Sequence, residues 1–246
     1  MKPFLAIDCG AASLKVALFE KADIVGGRLS SVRSGGFAFD HGAQYFTIRG
    51  DDFREFLEPA LQQGIVVPWD PHIVTLEKGQ AAIPEPRDET IYVAAPGMGA
   101  LCAHLGEGVS VATGTEIVSC MRKNNAWNLL TTTVGSLGPF DWVVSATPPQ
   151  QCRSWLPGSF VESIAFDHVR LRGCFSLMLG FEEAAPVNWQ GAFVRNSPIG
   201  WIAVNSHKHG REGGPTLLVQ CDGVWADEHM EDEPKPVEAM LCGELQ

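Results

Sequence analysis

The sequence predicts an α/β protein in which strands outnumber helices, and three observations carry that expectation. Short apolar runs bounded by turn residues recur along the chain, as at Phe4–Ile7, Val16–Phe19, Val66–Trp69 and Trp142–Ser145. Asp51–Gln63 has helical spacing, with apolar residues at 53, 56, 57, 60 and 61, an acid at its start and Gly64 past its end. A glycine-rich segment, Val25–Thr47, follows a strand that ends in Glu20. Dinucleotide-binding α/β sheets offer a ribose its carboxylate in this way.

The elements follow in order. Eight residues separate Ile7 from Val16, too few for a parallel crossover, so the first two strands are expected to pair as an antiparallel hairpin. Gly26-Gly27 and Gly35-Gly36 mark turns, with Phe37–Phe39 a short strand beyond the second. Pro59 is expected to kink the helix Asp51–Gln63. Val66–Trp69 and His72–Leu76 read as strands, Lys78–Glu89 as a loop, and Ala95–Leu105 as a short helix. Val109–Ala112, Glu116–Arg122 and Trp127–Thr133 alternate as a β-meander is expected to, and Trp142–Ser145 is a further strand before Pro148-Pro149. A weak helix is expected over Pro149–Leu156. Strands follow at Cys174–Phe181, Ala192–Arg195, Trp201–Asn205 and Thr216–Gln220, then a helix over Val237–Leu245.

Composition excludes several function classes. The chain has 246 residues, 18 basic and 29 acidic side chains and a formal net charge of −11. That balance argues against nucleic acid or an anionic membrane surface as partner, because both need a basic footprint. No apolar stretch approaches the length of a membrane span, and Asp8 interrupts any secretory leader core. The seven cysteines, at 9, 102, 120, 152, 174, 221 and 242, form no C-x-x-C pair and read as reduced thiols of a cytoplasmic protein. No metal site is expected: His207 and His209 flank Lys208 without a third ligand, and there is no H-E-x-x-H, G-x-S-x-G or Walker loop.

Three segments remain as candidates for chemistry. Glu20 can accept both hydroxyls of an adenosine ribose, against the plainer reading of a strand-end surface charge. Gly26 and Gly27 let the backbone close on a pyrophosphate, and the Arg28 guanidinium fork matches phosphate oxygens. Asp40–Thr47 places Gly42 and Ala43 where a flat ring can lie against backbone, and the Gln44 amide can meet ring heteroatoms. His41 reads as structural, and Tyr45 and Phe46 equally suit a core. Asp8-x-Gly10-x-x-Ser13-x-Lys15 resembles the opening phosphate hairpin of the actin-like sugar kinases, without that superfamily's later elements.

From Val16 to about Asp232 the chain resembles the bacterial renalase-like flavoproteins of the amine-oxidase superfamily. The resemblance rests on Leu18–Lys21, Val25–Ser31, Asp40-x-Gly42-Ala43-Gln44-Tyr45-Phe46-Thr47-x-Arg49, Pro96–Met98, Trp127–Leu129 and Val143–Pro148. It implies a Rossmann-like FAD-binding domain, here incomplete, with an inserted, mainly β substrate domain. The boundaries it implies are 1–48 and 96–150 for FAD, and 49–95 and 151–246 for substrate. Glu20 would bind the adenosine ribose; Gly26, Gly27 and Arg28 would lie along the pyrophosphate; Gly42, Ala43, Gln44, Tyr45 and Phe46 would line the isoalloxazine. Val111 or Ile117 would sit near the adenine and Ala146–Pro148 near the cofactor. The resemblance implies an oxidase of a small dihydronicotinamide- or amine-like substrate with dioxygen as electron acceptor, its flat substrate walled by Tyr45, Trp189 and Trp201.

Two departures qualify it. Cys9–Lys15 contains no G-x-G-x-x-G turn or following helix, the usual anion site for the pyrophosphate. The family's closing Gly-Asp segment and helix are expected beyond Gln246. The alternatives are therefore a cofactor-free, degenerate paralogue acting as a nonenzymatic or interaction protein and, more remotely, an actin-like ATP binder using Asp8 and Lys15.

Overall fold

The computed structural model of the chain describes residues 3–8, 15–161 and 168–245. Its strands run β1 (Pro3–Asp8), β2 (Lys15–Glu20), β3 (Val32–Ser34), β4 (Phe37–Phe39), β5 (Phe46–Thr47), β6 (Val66–Trp69), β7 (Ile73–Glu77), β8 (Ile83–Pro84) and β9 (Ile91–Ala94). They continue as β10 (Ser110–Ala112), β11 (Ile117–Lys123), β12 (Ala126–Thr131), β13 (Ser136–Phe140), β14 (Trp142–Ser145), β15 (Ser176–Gly180), β16 (Gly191–Arg195), β17 (Ile199–Val204) and β18 (Thr216–Cys221). The helices are α1 (Asp51–Gln62), α2 (Gly99–Leu105), α3 (Pro149–Cys152), α4 (Gly158–Val161), α5 (Gly223–Glu228) and α6 (Pro234–Glu244). The architecture is mixed α/β, with strands outnumbering helices among the described residues.

Residues 1–27 and 105–171 form one compact unit, and residues 28–104 and 172–246 a second. In the first, a four-stranded sheet has the order β10-β2-β1-β14. The expected hairpin is present: β1 and β2 are antiparallel, from Pro3 opposite Glu20 to Asp8 opposite Lys15. β10 runs parallel to β2, and β14 antiparallel to β1. Strands β10, β2 and β14 therefore all point one way, and β1 alone is reversed between two of them.

The expected meander differs in membership. β10 leaves it for β2, and the third strand beside β11 and β12 is β13. Gly138 and Pro139 hide β13 in the sequence, since both are poor strand formers. Pairing with β12 supplies what local propensity lacks. Phe19, Ile117, Cys120, Leu129, Cys152 and Trp155 are the buried core of this unit.

The second unit is layered on a six-stranded sheet of order β15-β18-β17-β16-β7-β8. Alternation along its strands sends side chains to opposite faces. Ile73, Trp201 and Ala203 join one core with Leu57, Val66, Ile91 and Val93, drawn from α1 and the small sheet β5-β9-β6. Val74, Ile202, Val204 and Val219 join another with Ala226, Val237 and Leu241 of α5 and α6.

Helix α1 follows Gly50, which takes φ 79°, and carries Asp51 and Asp52 in its first turn, where the helix dipole favours anions. Its apolar stripe is narrower than the sequence suggests. Leu57 and Ala60 are buried, whereas Phe53 and Phe56 are exposed and stack on each other with centroids 6.4 Å apart. Helix α2 starts at Gly99 instead of Ala95, because Pro96 and Gly97 hold the preceding residues in a turn. Ile83 and Pro84 form a short bridge with β7 inside the expected loop Lys78–Glu89. Asp222 caps α5, its Oδ1 accepting from the amides of Val224 (2.8 Å) and Trp225 (3.2 Å).

Candidate functional site

In the first unit, the carboxyl ends of β10, β2 and β14 share one edge of the sheet, the edge at which open α/β sheets bind ligands. Glu20 sits there, 1% exposed, its Oε1 accepting from the Ala22 amide at 2.9 Å and its backbone oxygen from the Thr115 amide at 2.8 Å. Gly26 and Gly27 follow with φ of 133° and 53°, values that side-chain-bearing residues rarely adopt. At the end of β14 the Cys152 thiol lies 3.0 Å from Ser145 Oγ and 2.9 Å from Thr147 Oγ1, tying the Ala146–Pro148 turn to the last residue of α3. Ile117 belongs to the buried core and Val111 to β10.

The second unit holds Arg28, which is exposed, and the segment Asp40–Phe46. This segment is pinned from several sides. The Ala43 amide donates to the Arg28 carbonyl (2.7 Å), Ser176 Oγ to the His41 carbonyl (2.9 Å), and Gln220 Nε2 to the Gly42 carbonyl (2.8 Å). Glycine is required at 42, because a Cβ there would stand 2.2 Å from the Arg28 carbonyl oxygen. Both ends of the Gln44 amide are engaged within the protein: Nε2 donates to the Asp40 and Gly42 carbonyls, and Oε1 accepts from Lys208. Tyr45 packs edge-on against Trp201, with Arg87 above its ring at 4.8 Å. Phe46 stacks on Tyr92. Trp189 lies in the core on the other face of the six-stranded sheet from Trp201, so the two do not form one wall.

The centre of this unit is a buried charge cluster that the sequence analysis missed. Asp40 is 1% exposed and accepts from Ser31 Oγ (2.7 Å), the Met98 amide (3.0 Å), Lys208 Nζ (3.2 Å), and Arg211 Nε (3.1 Å) and Nη2 (2.6 Å). Burial works to raise the Asp40 carboxyl, but the Lys208 and Arg211 cations outweigh it and hold it below the ordinary carboxylate value. Burial pushes Lys208 down to about 8, against the pull of Asp40 and with the repulsion of Arg211. Burial likewise lowers His41, with Asp40 opposing. The detectable pattern is Asn205, Lys208 and Arg211 at a spacing of three across a 3₁₀ turn, all of them buried.

A cleft of about 580 Å³ opens in the same unit, lined by Trp69, His72, Glu85, Arg87 and Glu89 among others. Among the described residues, no group of three or more His, Cys, Asp or Glu side chains is placed to hold a metal. No helix among them is long and apolar enough to cross a membrane.

Residues 4–59 match the family model of the NAD(P)-binding Rossmann-like domain. Among solved structures, the chain is similar to a putative protoporphyrinogen oxidase from Exiguobacterium sp. 255-15 (12% identity, TM-score 0.71, covering 92% of this chain and 75% of that one). It is similar to a fatty acid isomerase from P. acnes that produces CLA (10% identity, TM-score 0.63, 92% and 75%). It is also similar to putrescine oxidase in complex with putrescine (10% identity, TM-score 0.60, 92% and 74%). The N-terminal region is thus Rossmann-like, and the chain shares the fold of these three structures.

Proposed function

We propose that the protein is an FAD-dependent oxidoreductase of renalase or amine-oxidase type, acting on a small dihydronicotinamide- or amine-like substrate. The carrying observation is Glu20, a buried carboxylate at the carboxyl end of β2, followed by two positive-φ glycines inside the Rossmann-like segment. The described residues fit the group: a strand-end carboxylate for a ribose, and glycine turns that let backbone approach closely.

Bound FAD would supply hydride acceptance and electron transfer to dioxygen. Each residue's part follows from its chemistry. Glu20 holds the ribose hydroxyls. Gly26 and Gly27 would bring backbone amides to the pyrophosphate, and Arg28 would contribute charge there, β1 being reversed in its sheet. Gly42, Ala43, Tyr45 and Phe46 border the ring, while Gln44 and Gln220 fix the Gly42 backbone. The cleft beside Arg87 and Trp69 takes the substrate.

The reversal of β1 favours one rival, a cofactor-free paralogue acting through interactions alone. One experiment separates the two: purified protein is incubated with FAD, gel-filtered and scanned for visible flavin bands. Retained bands support the oxidoreductase, and colourless protein after reconstitution supports the rival. Arg28→Ala is expected to weaken FAD retention about tenfold or more, the worth of a charge-assisted hydrogen bond.

A further inference from the structure

Cys174 and Cys221, both in the second unit, lie at the corner where β18 runs into α5, and their sulfurs converge on the backbone of one residue, Phe175. β15 and β18 pair antiparallel with Ser176 opposite Gln220, which sets Phe175 opposite Cys221 and Cys174 one step beyond. The Cys221 amide donates to the Phe175 carbonyl at 3.1 Å. That same oxygen accepts from the Cys174 thiol at 3.6 Å, and the Phe175 amide donates to the Cys221 sulfur at 2.9 Å. Cys174 lies two residues before β15 and Cys221 ends β18, and both sulfurs are held against the Phe175 backbone. They also differ in access: Cys174 is exposed and Cys221 buried.

We propose that Cys174 and Cys221 are a redox pair that a hydroperoxide closes to a disulfide, with Cys174 attacking and Cys221 resolving. The Cys174 thiolate attacks one peroxide oxygen, the O–O bond breaks and hydroxide leaves, giving the sulfenic acid. The Cys221 sulfur then attacks the Cys174 sulfur, the S–O bond breaks, and water leaves with the Cys221 proton. The two sulfurs lose two electrons and the peroxide gains them.

The electrostatics agree with Cys174 as the attacking sulfur. The neighbouring Cys221 thiol, against the effect of burial, holds Cys174 down to about 7, so much of it is thiolate near neutral pH. Cys221 is raised, by its Cys174 neighbour and by burial. Burial raises Cys102 and pushes Cys120 up to about 11, which keeps those thiols protonated and slow. The pair is independent of the flavin reading, because the peroxide can come from outside.

The test uses the full chain without added FAD, treated with equimolar hydrogen peroxide, alkylated and digested without reductant for mass spectrometry. The expected result is a linked peptide pair joining Cys174 to Cys221, loss of two alkylatable thiols per chain, and return of both with dithiothreitol. In Cys174→Ser the link is absent and Cys221 stays alkylatable. In Cys221→Ser, dimedone is expected to trap the sulfenic acid at Cys174. Should that buried substitution prevent folding, the wild-type map decides. A Cys174 that stays fully alkylatable, oxidises without linking, or links to another cysteine overturns the proposal.

Discussion

Two acids stand in nearly the same sequence context, Leu18-Phe19-Glu20 and Ala38-Phe39-Asp40, each just past an apolar strand and each 1% exposed. Their surroundings differ. Glu20 receives the amide of Ala22, two residues on, whereas Asp40 is gripped by a hydroxyl, an amide and two cations from 9 to 171 residues away. Asp40 is a fixed charge that ties four segments of the second unit together. Glu20 stands at the sheet edge shared by the carboxyl ends of β10, β2 and β14, where we propose that the cofactor's ribose binds. The comparison teaches that burial of a carboxylate does not reveal its role, and that the partners do.

Substitutions can break that contrast. The largest effect is expected from Asp40→Ala, which leaves Lys208 and Arg211 buried without their counter-ion and should destabilise by about 3–5 kcal/mol. A urea unfolding curve measures it, and a loss below about 1 kcal/mol would contradict a structural role. Next, Gly42→Ala must displace the Arg28 backbone, a change expected to cost about 1–3 kcal/mol by the same assay. Glu20→Gln, which keeps an acceptor for the Ala22 amide, is expected to cost less than Asp40→Ala. It should lower FAD retention far more than it lowers stability. If Glu20→Gln and Asp40→Ala destabilise equally, the contrast collapses.

The smallest effect sharpens the picture through pH. Lys208 titrates near 8 in the folded protein and near its ordinary 10.5 when unfolded. Between those values the unfolded chain binds more protons, so wild-type stability gains a contribution from Lys208 as pH rises from 8 to 10.5. Lys208→Met lacks that contribution. The difference between the two urea midpoints, followed with pH, is therefore expected to shift in favour of wild type across this window. At pH 7 Lys208→Met should cost less than Asp40→Ala, because Arg211 still pairs with Asp40.

Legibility in the sequence followed the range of the forces involved. The β1–β2 hairpin, α1, β6, β7 and β14 rest on local patterns, and the sequence places them correctly. β13 depends on cross-strand pairing, and its glycine and proline conceal it. Glu20 at the end of β2 and the positive-φ pair Gly26-Gly27 are local features, and the strand end and the turn were legible. Lys208 and Arg211 matter only because the fold returns them to Asp40, and no local signal states that. Gln44 read as a free amide because the lysine that uses it lies 164 residues on.

The reversed β1 also bears on how the first unit assembles. A parallel first pair would have to close a long crossover before gaining any cross-strand contact. Here β1 and β2 meet through a short link, on the microsecond timescale of a hairpin. β10 and β14 come from much further along the chain and dock on its two sides. The unit is expected to grow outward from its first twenty residues, and pulse-labelled amide exchange should protect Lys15–Glu20 before Trp142–Ser145.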